Sequence, residues 1–167
     1  MTTVPRPDTW PSEWPKTARQ IAVSTDDALT AARTASGEHL ADALDELLAL
    51  PFEQVTLVHA GVVRALLEDL HPDGFSGEDI QDALTRVAGS ALTWIPGLDI
   101  PALAAVLTGS LGLTEMSDDA QRIGPADYLR SAILVIADLL ATVDMPSTGY
   151  IRDAIGEIAR AETVEMP

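Results

Sequence analysis

The sequence predicts an all-α fold, and three observations carry that expectation. No stretch alternates apolar and polar residues at period two, so strands have no signal. Apolar residues instead return at helical spacing in one segment after another. Proline, glycine and Asp-Gly punctuation separates those segments by short connections, which favours neighbouring helices in up-down order. The expected architecture is a single-domain bundle of six or seven helices over residues 16–163. It is flanked by a Pro/Trp-rich arm over 1–15 and a tail over 164–167, with a buried central helix near 125–143.

The arm comes first. Residues 1–15 hold Pro5, Pro7, Pro11 and Pro15, and proline fixes φ and lacks an N–H, so an extended segment is expected there. Trp10 and Trp14 sit in it. Either they pin the arm to its own chain, or they dock on a partner or a second copy.

In the segment 38–50, Leu40, Leu44, Leu47 and Leu48 share one helical face. Pro51 suits a first turn, and the next helix runs to Leu70 with Val55, Val62, Val63 and Leu66 as its stripe. His71-Pro72-Asp73-Gly74 is a stop and turn. Ser76 and Asp79 then form a capping-box variant that opens a helix through Ile80, Leu84, Val87 and Ala91 toward Trp94. Ile95-Pro96-Gly97 ends it, and Asp99 caps a shorter helix from Pro101 to Leu111. A polar loop, Thr114 to Arg122, leads to Gly124-Pro125 and the strongest helix, whose apolar positions cover so much of its circumference that it must be the centre. Met145-Pro146 breaks it, and Ser147 caps a last helix from Tyr150 to Ala161.

Composition narrows function by exclusion. The chain has 167 residues and no cysteine, which removes disulfides, thiolate zinc sites and cysteine nucleophiles. Ten basic residues against 26 acidic ones leave a net charge of −16, the wrong sign for nucleic acid or an anionic membrane. No uncharged run reaches the ~18 residues of a membrane span, and no basic-then-apolar leader opens the chain, so a cytoplasmic setting is expected. Nine of the ten bases are arginine and alanine is abundant, as in a GC-rich bacterial coding genome.

The charge is uneven. Residues 38–82 carry eleven acids against Arg64 alone, whereas residues 83–113 carry only Arg86 and Asp99. An acidic face speeds the encounter with a basic surface and complements it. The near-neutral 87–113 hairpin is rich in small residues and serves either as core or as an oligomer patch.

Catalytic constellations are scarce. The pairs Asp42-x-x-Asp45-Glu46 and Glu78-Asp79-x-x-Asp82 resemble the acidic motifs of all-α nucleotide pyrophosphohydrolases, in which magnesium bridges carboxylate and phosphate. On a wheel of about 100° per residue, however, these acids lie opposite the apolar stripes, and Asp82 is placed to pair with Arg86 one turn on. The Asp69–Ile80 linker brushes the calcium-loop pattern but lacks its twelfth-position carboxylate. His59 falls within an apolar stripe, as a satisfied core histidine or as the polar wall of a small-molecule pocket. His39 and His71 stand at no ligand spacing to it.

The leading expectation is a protein without catalysis and without cofactor or metal. It would bind a protein with a basic surface, or itself as a homodimer. The candidate contact residues are Trp10, Trp14, Asp42, Asp45, Glu46 and Trp94. A bundle with a small-molecule pocket near His59 is the alternative, and a magnesium-dependent nucleotide hydrolase stands third.

Overall fold

The computed structural model describes residues 10–109 and 123–165, with side chains described as far as Arg160. The described residues form seven helices and no strand: α1 (Lys16–Arg33), α2 (Gly37–Leu48), α3 (Phe52–Leu70), α4 (Gly77–Leu92), α5 (Ile100–Gly109), α6 (Pro125–Val143) and α7 (Ser147–Glu165). Residues 1–9 of the arm, the 114–122 loop, the end of the helix expected to reach Leu111 and the last residues of the tail lie outside them.

The helix ends follow local chemistry. Ser76 Oγ accepts from the Asp79 amide while the Asp79 carboxylate accepts from the Ser76 amide at 2.8 Å, the reciprocal box that the sequence predicts. Asp99 Oδ1 takes the Ala102 amide at 3.0 Å and caps α5. Pro51 stands one place earlier than expected, as the cap residue of α3 rather than inside its first turn.

The α1–α2 junction is a short turn closed by backbone hydrogen bonds. The Ser36 amide donates to Ala31 O at 3.0 Å and the Ala35 amide to Ala32 O at 3.1 Å, which is the Schellman pattern. Its left-handed position, commonly glycine, is Ala35 at φ 52°. Ser36 then turns directly into the cap of α2, its Oγ accepting from the His39 amide. Three residues, Thr34, Ala35 and Ser36, therefore stop one helix and start the next.

α6 is the centre, as its wide apolar surface requires. It packs against α1, α2, α3, α4 and α5, and Leu129, Ile133, Val135 and Ile136 are wholly buried. α7 lies on α3 and α1. Its approach to α3 is close: a Cβ on Gly61 would stand 3.3 Å from the Ala154 Cβ. Ser147 also donates to Asp26 on α1 at 2.6 Å, and Tyr150 donates to Asp69 on α3 at 2.6 Å, so the start of α7 is tied to two helices.

The 87–113 segment divides. Ala91, Ile95, Leu98, Leu103 and Leu107 are core, while Leu92 is 53% exposed. Two details depart from the sequence reading. Leu48, placed on the buried stripe of α2, is largely at the surface. The described part of the arm is not extended: the Trp14 amide donates to Pro11 O at 3.2 Å, closing a turn that stacks Trp10 on Trp14 with ring centres 6.2 Å apart.

Candidate functional site

α2 presents the most sharply divided surface. Leu40, Ala43, Leu44 and Leu47 face the core, and Glu38, Asp42, Asp45 and Glu46 face solvent. Among the described residues none of these four carboxylates has an ion-pair partner, and the last turn of the helix holds no base. Glu38 suits the positive N-terminal end of the helix dipole, but Asp45 and Glu46 sit at its negative end, where a carboxylate is unfavourable. The face is acidic at some cost to the helix that bears it. His39, on the same helix, is turned to α1, where Nε2 meets Asp27 Oδ1 at 2.9 Å.

The acids of α4 are arranged differently. Asp79 is held by its cap, and the Ser76 amide keeps its carboxyl below the ordinary range. Arg86 does not pair with Asp82 as its spacing predicts. It reaches across to Asp138 on α6, 2.7 Å away, because Asp138 has a side chain only 17% exposed and offers a drier, stronger partner than a solvated neighbour one turn back. Glu78 and Asp82 point outward. The carboxylates of the hydrolase reading thus lie on two solvent faces, whereas a metal site in a bundle core draws its ligands inward. Among the described residues no three His, Asp or Glu side chains gather as a metal would need.

His59 is enclosed by its own chain at 1% exposure. Nε2 lies 2.9 Å from Thr25 Oγ1 on α1, while Nδ1 is buried without a hydrogen-bond partner among the described residues. Burial without a compensating charge pushes the imidazole down to about 4. A cavity of about 190 Å³ opens one residue away, at Val58, with Trp14, Ile21, Gln54, Ile155 and Ile158 around it, but His59 is not in its wall.

The tryptophans separate. Trp10 is 5% exposed and belongs to the core, so its surface is taken up by its own chain. Trp14 is half-buried in the wall of the 190 Å³ cavity. Trp94, just past α4, is half-buried in the wall of a second groove of about 240 Å³.

Thr25 is the polar residue that the sequence reading missed. The signal was present: Ser24-Thr25 interrupts α1 on the face that carries Ile21, Ala28 and Leu29. A buried hydroxyl there requires a partner from elsewhere in the chain.

Comparison with protein-family models, with curated proteins and with solved structures finds no match to this chain.

Proposed function

We propose that this chain is a non-catalytic interaction module that takes a protein with a basic surface on the outer face of α2. The observation that supports it best is the set of four carboxylates, Glu38, Asp42, Asp45 and Glu46, all exposed and none ion-paired among the described residues. Two of them stand where they weaken their own helix, so the intrinsic stability of α2 does not account for them. Leu48 and Phe52, 37% and 42% exposed on either side of the α2–α3 connection, offer apolar contact next to the charge.

The test is affinity capture from the host at low and at physiological salt, with the wild-type chain and with Asp42→Asn/Asp45→Asn/Glu46→Gln side by side. The reading expects basic proteins that are retained by the wild type, lost from the triple variant, and released as salt screens the charge. A captured set indifferent to both changes overturns it.

The small-molecule reading rests on the cavity between Trp14, Gln54 and Ile155. At about 190 Å³ it falls below the ~300 Å³ at which ligand pockets usually begin, so it ranks second. An adduct that persists in native mass spectrometry of the gently purified protein, and disappears in a Val58→Trp variant, would reverse that order.

A further inference from the structure

α7 is held firmly over its first half only. There Ser147 donates to Asp26 and Tyr150 to Asp69, each at 2.6 Å, and Ile151, Ala154 and Ile155 are buried. The 3.3 Å approach of Ala154 to Gly61 falls in the same stretch. One turn further on the packing loosens. Ile155, Ile158 and Ala159 line the cavity of about 190 Å³, whose other walls include Trp14 and Ala18, and Ile158 and Ala159 are only half-buried. Side chains that line open space forfeit the dispersion contacts that hold a helix to its neighbours.

Gly156 stands at the boundary between the two halves. A glycine inside a helix weakens it about five-fold relative to alanine. Close packing does not require one here, because a Cβ at Gly156 would meet nothing within 4 Å. Arg160 Nε also donates to the Gly156 carbonyl at 3.3 Å, which gives that carbonyl a donor independent of the helical ladder. A side chain bonded into the ladder, at a residue with no side chain of its own, marks a point at which a helix bends.

We propose that α7 from Gly156 onward is a flap over this cavity. It hinges at Gly156 between the raised position of this structure and a lowered one, in which Ile158 packs onto Trp14 and Ala18 and closes the space. Lowering the flap buries apolar surface at the expense of bending a helix where bending costs least, so the two positions lie close in energy. The acidic face of α2 takes no part in it, so the flap stands or falls separately from the basic-partner reading.

Hydrogen exchange of the full chain, read at single amides by NMR, tests it. The amides of Glu157 to Arg160 lie more than a turn inside the end of α7 at Glu165. They should nevertheless exchange about ten-fold faster than those of Ile151 to Ile155. Gly156→Ala should slow them about five-fold, by the amount that glycine weakens a helix. Ala18→Leu fills the space from α1 and leaves α7 untouched. It should slow the same amides, because Ile158 then has a surface to rest on, whereas a helix end that merely frays would not respond. Should Ala18→Leu fail to fold by circular dichroism, Thr17→Leu, from the same wall of the cavity, takes its place. Equal protection along α7 in the wild type overturns the proposal. So do fast distal amides that either the glycine or the cavity-filling variant leaves unchanged.

Discussion

Thr25 Oγ1 stands 2.9 Å from His59 Nε2 and joins α1 to α3 across 34 residues of sequence. Both side chains are buried, and His59 Nδ1 has no hydrogen-bond partner among the described residues. One proton serves the contact, donated either by the hydroxyl or by the ring. The histidine therefore enters the core half satisfied.

The two residues should respond unequally to mutation. Thr25→Val keeps the shape but leaves both ring nitrogens buried and unbonded, so it should cost about 1–3 kcal/mol. His59→Leu frees the Thr25 hydroxyl to bond back to a carbonyl of its own helix and removes the orphaned Nδ1, so it should cost less or stabilise. The double variant should then lie close to His59→Leu alone. Urea melts of the three variants check this, and equal losses for the two single changes would show that the contact is not what holds His59.

The same burial sets a pH dependence. The His59 imidazole is pushed from its ordinary 6.5 down to about 4 in the folded chain. Above pH 6.5 it is neutral in both states and has no effect on stability. As pH falls from 6.5 toward 4, the unfolded chain binds a proton that the folded chain refuses, so stability is lost across that window and the loss levels off below about 4. At 1.36 kcal/mol per pKa unit the full loss is about 3 kcal/mol. Carboxylates also titrate near the lower end, so the measurement is the difference between wild type and His59→Leu in denaturant midpoints from pH 7.5 to 4. Parallel curves would remove His59 as the source.

Ala35 holds the left-handed position of the α1–α2 turn at φ 52°, where a Cβ is strained. Glycine fits without that strain but loses more entropy on folding, which offsets part of the gain. Ala35→Gly should stabilise the chain by about 0.5 kcal/mol and raise its melting temperature, and a fall in melting temperature would contradict the strain argument.

Much of the fold was legible because the forces that form these helices act over three or four residues. The stripe Leu40–Leu44–Leu47, the box at Ser76 and Asp79, the cap at Asp99 and the all-round apolar surface of α6 are local patterns, and each appears where its spacing placed it. α1 was harder to read as an element: its buried face includes Ser24 and Thr25, so its period is blurred by polar residues whose reason for burial lies on another helix.

The candidate sites were legible only in part. The outward direction of Asp42, Asp45 and Glu46 follows from the period of α2 alone, since a helix has one face for leucine and another for carboxylate. That Arg86 chooses Asp138 over Asp82 does not, because the choice depends on how dry each carboxylate is after α4 and α6 have packed. The sequence by itself determined the helices, their ends and the sign of the surface, all consequences of residues near one another along the chain. Only the tertiary structure decided that Trp10 is buried, that His59 meets Thr25, and that Arg33 and Trp94 line one groove. Each of these depends on which distant helices share a seam, and close packing settles that for the whole core at once.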